Sequence, residues 1–73
     1  MMKVEVKFGQ RLKDIRNNQN ISQEELSFRC GLSKNYISDV ERGTRNISLQ
    51  AIEKLAKGLQ VSIKELFDFK EDE

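Results

Sequence analysis

Lys34, Asn35, Ser38, Asp39 and Arg42 lie close together in the stretch after Ser33. At about 100° per residue they share one side of a helix. Tyr36, Ile37, Val40 and Glu41 fall on the other side. The first side carries no large apolar group. It is a row of hydrogen-bonding side chains on a rod narrow enough to enter a DNA major groove. Lys34 can reach guanine O6 and N7, and Asn35 can pair with adenine N6 and N7. Ser38 and Asp39, one turn on, can reach phosphate or base edges. Asp39 is two-sided, because it can accept from cytosine N4 but is repelled by backbone phosphate. Arg42, Thr44, Arg45 and Asn46 follow the helix, and loop Arg and Asn side chains make a natural phosphate clamp. Arg42 has a second reading, folding back on the acidic residues beside it. The bland alternative for the whole row is a solvated helix face.

Other chemistry is poorly supplied. Cys30 is the single cysteine and there is no histidine. An intrachain disulfide and a four-ligand zinc site are therefore excluded, as is His-based acid–base work. No Gly-rich phosphate loop occurs. An enzyme is not expected, and no cofactor or metal is expected. Net charge is only +1, but it is uneven: residues 1–46 hold nine Lys/Arg against six Asp/Glu, and residues 47–73 hold four against six. A chain that meets nucleic acid with one face has this distribution, and so does an ordinary mixed surface. No apolar run reaches 18 residues, and the N-terminus has no apolar signal core. The expectation is a cytoplasmic protein with no membrane partner.

These side chains need elements to position them. Ser22 opens a short helix, and Ser22 with Glu25 has the spacing of a capping box. Leu26 and Cys30, four apart, make its apolar stripe. Gly31 stops it, since a left-handed backbone costs glycine nothing. Leu32 follows as a buried plug, and Ser33 caps the polar-faced helix. Helix, Gly-containing turn and helix describe a helix-turn-helix. Upstream, Phe8, Leu12 and Ile15 set a helical face that runs to about Gln19. Residues 1–7 read as an extended or frayed lead-in, with Val4 and Val6 alternating with charges. Downstream, Ser48 caps a helix with the stripe Leu49, Ile52, Leu55, Ala56 and Leu59. Ser62 caps a last short one with Ile63, Leu66 and Phe67. The expected fold is all-α, with five helices in a single domain over residues 1–73, a core of about 8–67 and a polar tail at 68–73.

The string Q-E-E-L-x-x-x-x-G-L-S-x-x-Y-I-S-x-x-E-R-G, from Gln23 to Gly43, resembles the Cro and phage-repressor (XRE) helix-turn-helix family. With Arg45, Asn46, Ile47 and Ser48 it is most similar to restriction–modification controller proteins. The resemblance implies a DNA-binding set of Gln23, Ser33, Lys34, Asn35, Tyr36, Ser38, Asp39, Arg42, Thr44, Arg45 and Asn46. Gln23 would hold a phosphate with its amide and the free backbone amides of its helix turn. Tyr36 would place its hydroxyl on phosphate or base, or simply pack. Arg16 and Glu41 occupy the positions of a structural ion pair; Glu41 falls on the buried side of its helix, where a carboxylate needs a partner.

A core this small is marginal by itself. Ile47, Leu49, Ile52, Ile63, Phe67 and Phe69 are candidates for a two-fold interface. A symmetric dimer would read a near-palindromic double-stranded operator. The function implied is a homodimeric, sequence-specific transcription regulator, autoregulating a restriction–modification system. Alternatives are a phage-type repressor or an antitoxin, or, from another class, an interaction module that does not bind DNA. Four residues stay open. Phe28 covers the first helix or, with Glu24, forms a patch for RNA polymerase. Ser27 is expected to bond back to the preceding turn. Cys30 is a small buried group or a redox switch. Gly58 marks a close helix approach or drift.

Overall fold

The computed structural model describes residues 2–69. Five helices follow one another: α1 Val4–Asn18, α2 Gln23–Cys30, α3 Lys34–Glu41, α4 Leu49–Leu59 and α5 Ile63–Leu66. No strand occurs among the described residues. The expected tail lies outside them from residue 70 on.

Local sequence starts and stops most of these elements. Ser22, Ser33, Ser48 and Ser62 each sit in extended backbone, and each hydroxyl accepts the amide three residues on. Such a cap stabilises a helix by about 1 kcal/mol. Gly31 ends α2 at φ +76. Asn20 and Gln60 adopt the same left-handed conformation after α1 and α4. The reciprocal capping box expected at Ser22 is only half made: Glu25 turns its carboxylate to Arg29 Nε at 3.0 Å. The complete box is at Ser62, whose amide donates to Glu65 Oε1 at 3.1 Å.

Helix α1 begins at Val4, not Phe8. Lys3 caps it with backbone alone, its carbonyl accepting from Val6 and Lys7. The alternation of Val4 and Val6 does not decide between strand and helix. Tertiary packing does: Val6 lies so close to Gly43 that a Cβ there would sit 2.8 Å from Val6 Cγ2. Helix ends are set by such contacts as much as by propensity.

Leu12, Leu26, Ile37, Leu55, Leu59 and Leu66 have essentially no exposure, and every helix contributes to this core. Removing each from water contributes roughly 2 kcal/mol. Two glycines let backbones meet. A Cβ on Gly9 would lie 2.3 Å from the Val40 carbonyl oxygen, so α1 runs directly onto the end of α3. A Cβ on Gly58 would lie 2.9 Å from Cys30 Cβ, which makes Gly58 the close approach of α4 to α2. Arg11 Nε donates to the Glu65 carbonyl and Gln19 Nε2 to the Leu59 carbonyl, which ties α1 to α5 and to the end of α4.

Leu49 departs from its expected stripe. It is 83% exposed, at the first turn of α4 and outside the core.

Candidate nucleic-acid interface

Helix α3 is fixed from behind. Arg16 Nε donates to Glu41 Oε2 at 2.7 Å and Nη2 donates to Oε1 at 3.1 Å. Its third nitrogen, Nη1, donates to the Ile21 carbonyl at 2.8 Å. Gln23 Nε2 donates to Glu41 Oε1 at 2.9 Å. The two charged side chains are only 9% and 4% exposed. A buried ion pair survives only when its lone pairs and protons are used up, and no buried side-chain nitrogen or oxygen among the described residues lacks a partner. Four points are joined: α1, the turn after it, the start of α2 and the last residue of α3. Ile37 and Val40 then seat α3 in the core.

This geometry changes the reading of Gln23. Its amide is turned inward onto Glu41 rather than left free for a phosphate. In this structure the Gln23 amide helps to hold Glu41 in place.

The turn between α2 and α3 is held by Ser27, whose Oγ donates forward to the Leu32 carbonyl at 2.5 Å. The expected bond back to the preceding turn is not made. The hydroxyl instead satisfies a carbonyl of the tight turn, where no helical amide is available to do so.

With α3 held in this way, its opposite face is presented outward. Lys34 and Asn35 are exposed at the first turn, and no hydrogen bond or ion pair ties either side chain to another described residue. Ser33, at the cap, is exposed beside them. Ser38 and Asp39 follow, half-exposed. Tyr36 lies at the edge of this face, partly packed against the core.

The basic groups after α3 are not free. Arg42 Nη1 donates to Ser38 Oγ at 2.7 Å, and its Nη2 pairs with Asp39 Oδ1. Arg45 Nη2 lies 3.5 Å from Asp39 Oδ2, with its guanidinium 4.6 Å from the centre of the Tyr36 ring. The Thr44 amide and Oγ1 both donate to the Asp39 carbonyl at 3.1 Å. Gly43 makes this turn possible at φ +77. Asn46 is exposed next to it. Arg42 therefore does fold back on acid, and Arg45 joins it through the same carboxylate, a contact that residue spacing does not foretell.

The proposed interface residues separate into two groups. Leu49, Ile63 and Phe67 are 83%, 48% and 42% exposed, and Phe69 is partly exposed with its ring 6.2 Å from that of Phe67. Ile47 is half-buried against the core. Ile52, only 6% exposed, is a correction: it belongs to the core and offers no more than the floor of the groove between Leu49, Ile63 and Phe67. Its inward turn follows from helical spacing, since Leu55, Ala56 and Leu59 continue the same buried stripe.

Phe28 does not cover α1; it is 88% exposed on the outer side of α2, with Glu24 also exposed. Cys30 is buried, and burial pushes its thiol above the ordinary value of 9.0. No group of three or more metal-ligating side chains occurs among the described residues, and no helix there is long and apolar enough to cross a membrane.

The chain has close relatives. A helix-turn-helix family profile matches residues 12–66. Control protein C.BamHI of Bacillus amyloliquefaciens is 56% identical over 63 residues, covering 85% of this chain and 78% of that protein. Control protein C.MunI of Mycoplasma sp is 37% identical over 68 residues, or 92% of each chain. The crystal structure of the restriction-modification controller protein C.AhdI from Aeromonas hydrophila matches with a TM-score of 0.85 and 51% identity, over 86% of this chain and 96% of that one. The polar row on α3, its locked inner face and these matches agree: the chain belongs to the helix-turn-helix family, of the Cro and phage-repressor (XRE) type, and within it is similar to the restriction–modification controller proteins.

Proposed function

We propose that this protein is a cytoplasmic, homodimeric transcription regulator that binds a near-palindromic double-stranded operator upstream of its own gene and controls a restriction–modification system. The observation that carries the reading is the contrast across α3. Its inner face is immobilised by Arg16 and Glu41, while Lys34 and Asn35 on the outer face have no partner among the described residues. A rigid helix with free donors at its N-terminal turn is what base reading in a major groove requires. Lys34 and Asn35 read bases, Ser33, Ser38 and Tyr36 flank them, and Arg42, Thr44, Arg45 and Asn46 hold phosphates.

The second copy docks on Leu49, Ile63, Phe67 and Phe69, with Ile47 at the edge and Ile52 beneath. Exposed apolar groups gathered on one face of so small a chain favour a partner of equal character. The two recognition helices then stand about one DNA turn, ~34 Å, apart. Phe28 beside Glu24 is the surface left for RNA polymerase.

Footprinting on the DNA upstream of the gene tests this reading. Two protected half-sites, centred about one helical turn apart, are expected. Uniform protection of every fragment, or none, contradicts it.

A further inference from the structure

One carboxylate organises the whole basic loop. The side chain of Asp39 pairs with both Arg42 and Arg45, and its carbonyl takes both donors of Thr44. Ser38, beside it, accepts the remaining Arg42 contact. The Arg45 guanidinium also lies over the Tyr36 ring, 4.6 Å from its centre. The cations best placed for phosphate are thus already occupied, by an oxygen pair whose charge and shape imitate a phosphate.

On that basis, and resting on the DNA-binding reading above, we infer that Asp39 is a selectivity residue: it competes with DNA phosphate for Arg42 and Arg45 and so suppresses binding to non-cognate sequence. Arg42 and Arg45 are 62% and 46% exposed, and ion pairs this exposed are weak enough for a DNA backbone to displace. Displacement has a cost, however. It leaves the Asp39 carboxylate, 30% exposed, without a cation beside a polyanion. That cost is offset only where a base presents an amino donor to it in the major groove, as cytosine N4 or adenine N6 does. On other sequences the arginines stay on Asp39 and the phosphate clamp stays open. Selectivity arises from an unpaired acid on the wrong sequence, not from extra attraction to the right one.

Asp39→Asn keeps the shape and removes the competing charge. Non-operator DNA should then bind about tenfold more tightly, and the slope of log K against log salt should steepen by ~1–2, one unit for each arginine released to a phosphate. The ratio of operator to non-operator affinity should fall by about the same factor. The same substitution in an Arg42→Ala/Arg45→Ala background should leave the salt slope unchanged. Side-chain nitrogen NMR of the DNA-free protein gives a second reading: the guanidinium resonances of Arg42 and Arg45 should shift on Asp39→Asn. An equal gain in the background without the arginines would mean simple repulsion and would overturn the inference. So would unchanged non-operator affinity, loss of operator binding alone, or guanidinium signals that ignore the substitution. If the parent protein binds no DNA at any salt while those signals do shift, the regulator reading falls and the intramolecular pairing stands as a loop staple without this role.

Discussion

Arg16 on α1 holds Glu41, the last residue of α3, through two hydrogen bonds of 2.7 and 3.1 Å, at positions 25 residues apart. The pair sets the pose of the recognition helix without touching its outer face. Removing one partner leaves a buried charge uncompensated, whereas replacing both by apolar groups does not. Arg16→Ala is therefore expected to cost about 3–5 kcal/mol, and Arg16→Met/Glu41→Leu to recover most of it. Urea unfolding of the three proteins checks this; equal losses for the single and the double substitution would contradict it.

Gly9 inverts the usual helix rule. In an open helix, Gly→Ala gains about 1 kcal/mol. Here a Cβ would strike the carbonyl oxygens of Val40 and Glu41 at 2.3 and 2.8 Å, which are backbone atoms of a packed helix end. Gly9→Ala is expected to destabilise by about 1–3 kcal/mol, read as a lowered urea midpoint. Any gain in stability would contradict so close an approach of α1 to the end of α3.

The two left-handed glycines should separate. Gly31→Ala meets nothing within 4 Å and carries only the backbone cost, roughly 1–2 kcal/mol. Gly43→Ala has the same backbone cost and also collides with Val6 at 2.8 Å. Thermal unfolding should place Gly43→Ala below Gly31→Ala; the reverse order would contradict the packing of α1 on the loop.

Leu49 is the cleanest probe of self-association, because at 83% exposure it has little part in the core. Leu49→Glu is expected to move the sedimentation equilibrium towards monomer by tenfold or more, about 1.4 kcal/mol or more, with helical content unchanged. An unaltered equilibrium would remove α4 from the interface.

Burial raises the Cys30 thiol above 9.0. The unfolded chain therefore loses this proton first as pH rises, so the folded state binds more protons in that window and stability falls. Relative to Cys30→Ala, the parent protein should lose stability above about pH 9 and match its pH profile below. A parent that gained stability there would reverse the assigned direction.

Much of this was legible in the chain. Serine caps at Ser22, Ser33, Ser48 and Ser62 and the stop at Gly31 are local signals, and each acts where it stands. That Glu41 needs a partner was legible because it falls on a buried helix face; that Arg16 supplies it was implied by the family resemblance, and the structure has the pair. What escaped is what packing between distant segments decides. The start of α1 at Val4 depends on Gly43, and the inward turn of Gln23 depends on Glu41. Gly9, in the middle of a helical apolar pattern, was the one available sign that α3 comes close, as Gly58 was for α2. The outward position of Leu49 follows from where the first turn of α4 stands relative to the core, which periodicity alone does not fix, whereas the burial of Ile52 is what its place in the stripe implies.

In the proposed function, α3 reads sequence while the loop after it grips backbone. The most direct measurement is an anisotropy titration at two salt concentrations, on the DNA upstream of the gene and on a scrambled duplex, for the parent protein, Asn35→Ala and Arg45→Ala. The parent protein is expected to prefer its own sequence, with affinity falling steeply as salt rises. Asn35→Ala should lose about 1–3 kcal/mol on that sequence and little on the scrambled one. Arg45→Ala should weaken binding to its own sequence and lower the salt slope there by about 1, whereas Asn35→Ala leaves that slope unchanged; on the scrambled duplex, where Arg45 stays on Asp39, Arg45→Ala should change little. Equal binding of both duplexes by the parent protein, or an equal change of salt slope with the two substitutions, would contradict this reading.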